Sequence, residues 1–107
     1  MVFFDDLETR SDDQRSAQNT ALLKDILKSA SDLAGYKGTL SFDSISNFTS
    51  LDDLTSLPVL RKSELSKKQS KKNILGGYSG KLPSDFAHIF QSPGPIYEPG
   101  DVSPNWW

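Results

Sequence analysis

The stretch from Ser11 to Gly35 constrains the fold more than any other part of this chain. Ala17, Leu23, Leu27, Ala30 and Ala34, joined by Leu22, Ile26 and Leu33, recur at helical spacing. Lys24, Asp25, Lys28 and Asp32 fall on the other side. Ser11 followed three residues later by Gln14 has the form of a capping box. Asp12 and Asp13 suit a first turn that carries partial positive charge. Gly35 offers a stop. The spacing predicts an amphipathic helix over Asp12–Ala34, whose apolar face needs a partner.

The rest of the chain can supply only a lean one. At 107 residues there is room for one small domain, and hydrophobic content is 36% against the usual ~45–50%, a figure that also counts Gly and omits Tyr. The net charge of −2 gives no general drive toward nucleic acid or anionic membranes. Cysteine is absent, which excludes a disulfide framework, a thiol nucleophile and a thiolate metal site. The apolar run in Met1-Val2-Phe3-Phe4 is too short for a signal peptide and is followed by acid. No segment approaches ~18 apolar residues, so no membrane span is expected and the cytoplasm is the expected compartment.

Tyr36–Thr49 lacks periodicity and reads as a loop with one turn near Ser44–Ser46. Ser50-Leu51-Asp52-Asp53-Leu54 reads as a capped short helix closing before Leu57-Pro58. The residue before a proline is pushed away from helical geometry, so Leu57–Leu60 is expected to be extended. Lys62–Gln69 reads as another short helix anchored by Leu65. Lys67, Lys68, Lys71 and Lys72 lack interleaved aromatic residues, so a solvated helix end is a better reading than a nucleic-acid contact. Gly76-Gly77-Tyr78-Ser79-Gly80 reads as flexible and lacks the lysine and hydroxyl residue of a P-loop. Phe86–Phe90 alternates as a strand should and feeds the Pro/Gly-rich stretch Ile89–Gly100. That stretch carries Ser, Tyr and Glu side chains, as a ligand-facing loop does.

Little else carries chemistry. His88 is the only histidine and has no Asp, Glu or Cys at ligand spacing, so it reads as structural. Asp5, Asp6, Glu8, Asp12 and Asp13 lie at a frayed terminus or a helix start, not in the buried setting that acid–base catalysis needs. No Gly-x-Ser-x-Gly elbow occurs. No catalytic or metal-ligating residue is assigned. Trp106 and Trp107 read as core residues of a larger domain, or as an interaction anchor.

The run Leu57-Pro58-Val59-Leu60-Arg61-Lys62-Ser63-Glu64-Leu65, then Gly76-Gly77-Tyr78, then Ile89-Phe90-Gln91-Ser92-Pro93-Gly94-Pro95-Ile96-Tyr97-Glu98-Pro99, resembles the N-terminal region of phenylacetate–CoA ligase-like proteins. These belong to the adenylate-forming (AMP-binding) superfamily. The opening Asp6-Leu7-Glu8-Thr9-Arg10 before a long helix is similar too. The resemblance implies ATP-dependent adenylation of a carboxylic acid, such as an aryl acid, and thioester formation with coenzyme A, with ATP, Mg and CoA as cofactors of a full-length protein. It also implies an α/β fragment, with residues 1–107 forming N-terminal helices and short strands from the start of the large domain.

The family's phosphate loop, Ser-Ser-Gly-Thr-Thr-Gly-Lys-Pro, falls at Ser92–Pro99. Ser92, Gly94 and Pro99 match; Ser92 and Gly94 are the cofactor-binding positions that the resemblance implies. Pro93 and Pro95 lack N–H donors, Tyr97 adds bulk in place of a glycine, and Glu98 puts negative charge where a lysine would stand. A normal ATP grip is not expected, nor any cofactor on this chain alone. The chain reads as a non-catalytic portion whose partner is the remainder of a split or truncated ligase. A competing expectation is a small protein-interaction module using the amphipathic helix and the Trp pair.

Overall fold

A computed structural model of the chain describes residues 2–101; Trp106 and Trp107 lie outside the described residues. The chain is a small mixed helix-and-strand protein. It has three α-helices, α1 (Asp12–Ser31), α2 (Phe42–Ser46) and α3 (Lys62–Lys68), and two strands, β1 (His88–Gln91) and β2 (Tyr97–Gly100), among the described residues. Short 3-10 turns fill in at Asp6–Thr9, Ala34–Tyr36, Leu51–Ser56 and Pro83–Asp85. No helix among the described residues is long and apolar enough to cross a membrane. The chain divides into two compact units: one runs to Ser31 and includes Gly38–Pro58, and the other joins Asp32–Lys37 to the residues from Val59 onward.

In the first unit, α1 starts as its sequence dictates. Gln14 N–H donates to Ser11 Oγ at 3.2 Å, and Ser11 N–H donates to Gln14 Oε1 at 3.0 Å, so the box closes in both directions. The helix ends earlier than its spacing suggests. Ser31 Oγ donates to the Lys28 carbonyl at 2.7 Å, competing with continued winding, and Leu33 is extended at φ −77°, ψ 137°. The covered stripe is also narrower than expected. Thr20, Leu23, Leu27 and Ala30 are half-buried, whereas Ala17 is exposed and Leu22 and Ile26 are each 59% exposed. At ~100° per residue, positions 22 and 26 lie a quarter-turn from 23 and 27. The surface presented by α2 and Leu51–Ser56 covers one flank only.

The one turn expected near Ser44–Ser46 is α2, which begins two residues earlier at Phe42. Ser41 caps it by accepting from Ser44 N–H at 3.1 Å, and Ile45 and Phe48 turn inward. The next turn is 3-10 rather than α, and Asp53 closes it. One oxygen of its carboxylate accepts from Thr49 N–H at 2.7 Å, Ser50 N–H at 2.9 Å and Thr49 Oγ1 at 3.2 Å. The Thr49 and Ser50 backbone bonds hold the Asp53 carboxyl below the usual aspartate value of 3.8. Because the folded value is the lower one, this contribution to stability is present above 3.8 and fades as pH falls through the lowered folded value. Asp53→Asn is expected to lower the urea midpoint at neutral pH and flatten its acid dependence. Denaturation curves from pH 7 down to pH 2 check this.

The second unit is organised around glycines. Gly35 is not the terminator of α1. It is buried in the Ala34–Tyr36 turn, and a Cβ there would lie 2.7 Å from two Tyr78 ring atoms. Gly35 N–H donates to the Gly77 carbonyl at 2.8 Å. Gly76 and Gly77 both have positive φ, +66° and +86°, so the segment read as flexible is a defined turn that only glycine forms without strain. Tyr36 meets Tyr78 edge-on at 4.9 Å between centroids. Leu75 and Ile96 are the buried apolar side chains of this unit among the described residues.

Candidate functional site: the hairpin loop and its supports

The Pro/Gly-rich stretch is not one long loop. Its second half, Tyr97–Gly100, is β2, paired antiparallel with β1 in the register His88↔Gly100, Ile89↔Pro99, Phe90↔Glu98 and Gln91↔Tyr97. The loop proper is Ser92–Ile96, closed by Ser92 N–H donating to the Ile96 carbonyl at 3.0 Å. Alternation from that bond makes 90↔98 and 88↔100 the hydrogen-bonded pairs. Pro99 therefore sits at a position whose N would point away from β1, which is how a strand tolerates proline. Strand β1 is shorter than Phe86–Phe90 suggests at its start and extends to Gln91.

Two side chains from the preceding helix hold this hairpin. Gln69, at the C-terminal end of α3, donates from Nε2 to the Tyr97 carbonyl at 2.8 Å and accepts at Oε1 from Tyr97 N–H at 2.8 Å. Its amide thus occupies the place of one residue of a third strand. Lys62, at the other end of α3, donates from Nζ to the Pro93 carbonyl. The same ammonium lies 3.7 Å from where a Cβ on Gly94 would stand. Gly94 has φ +80°, so glycine there serves the turn as well as the approach of the lysine.

Gln69→Glu is expected to loosen the hairpin at neutral pH. A carboxylate can still accept from Tyr97 N–H, but it faces the Tyr97 carbonyl without a donor. Protonation restores the donor, and because the ionised form faces a carbonyl oxygen it sets in above the ordinary glutamate value of about 4.3. The Tyr97 amide should therefore regain exchange protection as pH falls toward that value. Amide exchange measured across that range checks it.

The implied cofactor-binding positions are placed as follows. Ser92 is half-buried, with Oγ 3.5 Å from the Ile96 carbonyl; Gly94 is exposed in the loop under Lys62. Tyr97, Glu98 and Pro99 belong to β2 and not to the loop. Glu98 shares one face of the sheet with His88 and Phe90, whose rings stack obliquely at 5.8 Å. The loop offers few donors: Pro93 and Pro95 have no N–H, and the Ser92 N–H is taken by Ile96. These residues do not fit a triphosphate held by successive backbone N–H groups.

The lysine cluster is not a uniform solvated helix end. Lys68 donates to Tyr78 Oη at 2.7 Å and to the Gly35 carbonyl at 3.2 Å. Its ammonium is 5.1 Å from the ring centroid, a distance that places it at the hydroxyl end and not over the face. Lys71 and Lys72 form the tip of a turn closed by reciprocal backbone bonds between Ser70 and Asn73, both 3.0 Å. A cleft of about 210 Å³ lies beside Gln69, with Ile74, Pro95 and Tyr97 among its walls. It is small beside the ~300–1,000 Å³ of ordinary ligand sites. Among the described residues, no group of three or more His, Cys, Asp or Glu side chains is placed to hold a metal ion.

Sequence reasoning missed Lys62 and Gln69 as loop supports. The run Leu57–Leu65 singled out Lys62 by position, but nothing local showed what it touches. Compared with known proteins, the chain matches no family model, no curated protein and no solved structure.

Proposed function

We propose that the chain is the N-terminal portion of an acyl-activating, adenylate-forming ligase of the phenylacetate–CoA ligase type, working in the cytoplasm and non-catalytic alone. The observation that supports this reading is the junction of the two stretches that carry the resemblance. Lys62, in the Leu57–Leu65 run, bonds the Pro93 carbonyl of the Ser92–Pro99 loop, and Gln69 bonds Tyr97 in both directions. The hairpin corresponds to the phosphate loop in degenerate form. Its prolines and Glu98 leave it a poor site for a triphosphate, so the complete protein would draw its phosphate contacts from elsewhere.

The test is the coding sequence just downstream of Trp107 and the activity of the protein it completes. The proposal expects the rest of an adenylating domain there and carboxylate-dependent ATP–pyrophosphate exchange. Unrelated downstream sequence, with a chain that folds cooperatively as a monomer alone, would overturn the origin. Absence of exchange across aromatic and aliphatic acids would overturn the activity. A second reading, a small interaction module, is favoured by Leu22 and Ile26, which stand exposed one turn apart on α1. It predicts a partner whose binding Leu22→Asp abolishes.

A further inference from the structure

The two edges of the hairpin are not equivalent. On β2, the outward N–H and C=O of Tyr97 are taken by Gln69, and Pro99 has no N–H to offer. That edge is closed to a further strand. On β1, the alternation of bonded pairs points the N–H and C=O of Ile89 and Gln91 outward. Nothing among the described residues pairs with them, and both residues are exposed. Strand β1 also lacks the usual guards of a free edge, since His-Ile-Phe-Gln contains no lysine, no proline and no formal charge at pH 7. A two-stranded sheet is marginal alone and gains from another strand.

We propose that this edge pairs with β1 of a second copy of the chain, antiparallel about a two-fold axis at Phe90. Ile89 of one copy then faces Gln91 of the other, twice, and each facing pair exchanges both backbone bonds. The parity is self-consistent: 89 and 91 are the outward-pointing residues, so both members of each pair present a donor and an acceptor. The charge pattern is also self-compatible, because an uncharged strand meets its own copy without like charges opposed. The result is a four-stranded sheet in the order β2-β1-β1-β2. This inference does not depend on the ligase reading.

Four-residue strands bury well under about 1,200 Å², so the dimer is weak and should populate at concentrations on the order of 0.1–1 mM. Sedimentation equilibrium of the 107-residue chain is expected to show reversible monomer–dimer exchange. Ile89→Lys with Gln91→Lys opposes lysines at both facing pairs and should weaken association roughly tenfold or more. The bonds joining β1 to β2 use residues 88 and 90, so the hairpin should persist in that variant, and cross-strand NOEs report it. The chain has no cysteine, so Phe90→Cys should trap a symmetric disulfide dimer while Tyr97→Cys does not. A monomer throughout the range overturns the proposal. So does a dimer that survives both lysines, or equal trapping at position 97.

Discussion

Phe48→Ala is expected to remove about 3–5 kcal/mol from the unfolding free energy of the first unit, the largest single effect expected among the described residues. Phe48 is 1% exposed and is the largest fully buried side chain among the described residues. Its unit buries one other apolar side chain among the described residues, Ile45 at 9%. A ring lost from so small a core removes both the apolar area and the contacts of its neighbours, and few other groups remain to close the gap. A domain of ordinary stability holds only about 5–15 kcal/mol, so the substitution should bring this unit near unfolding. Urea denaturation and exchange of the Ile45 and Phe48 amides, which bond the Ser41 carbonyl at the start of α2 and the Ile45 carbonyl at its end, are the measurements. Phe48→Leu should recover most of the loss. Leu22→Ala and Ile26→Ala, on the uncovered flank of α1, should stay within roughly 0.5 kcal/mol of the starting protein.

Gly35→Ala is expected to cost about 1–3 kcal/mol, although alanine is ordinarily a safe replacement. The backbone at Gly35 does not have positive φ, so conformation is not the obstacle. The obstacle is space: the added methyl would meet Tyr78 Cδ1 and Cε1 at 2.7 Å and Cζ at 2.8 Å. The ring cannot easily give way. Tyr36 abuts it edge-on, and Lys68 holds its hydroxyl while bonding the Gly35 carbonyl. A double-mutant cycle with Tyr78→Ala tests the cause. If the clash is the cause, Gly35→Ala should cost far less when the ring is already gone, leaving a coupling energy of the order of the clash itself. Equal cost in both backgrounds would place the strain in the backbone instead.

Both residues show what was legible in the sequence. Phe48 follows α2 in a segment that reads as loop with one turn near Ser44–Ser46, because five helical residues give no periodicity; its burial is decided by packing and not by spacing. By spacing Gly35 reads as a helix stop, a local use of glycine; its use is to let Tyr78 pack against the backbone, a relation spanning 43 positions. Strand β2 was missed because Tyr-Glu-Pro-Gly is poor strand composition. It forms because Pro99 falls at an outward position and because Gln69, 28 residues away, bonds Tyr97 as a neighbouring strand would.

What the sequence by itself determined was local. The Ser11–Gln14 box, the body of α1, the extended Leu57 before Pro58 and the short helix holding Leu65 all depend on residues within four positions of one another. Such contacts are dictated by chain geometry before any tertiary packing forms. The tertiary structure decided which flank of α1 is covered, that the Gly76–Gly77 turn is defined, and that Lys62 and Gln69 hold the hairpin from 31 and 28 residues away. Each of those needs two distant segments to meet. Spacing along the chain records what a residue can reach locally, and says nothing of which remote carbonyl will be there to receive a lysine.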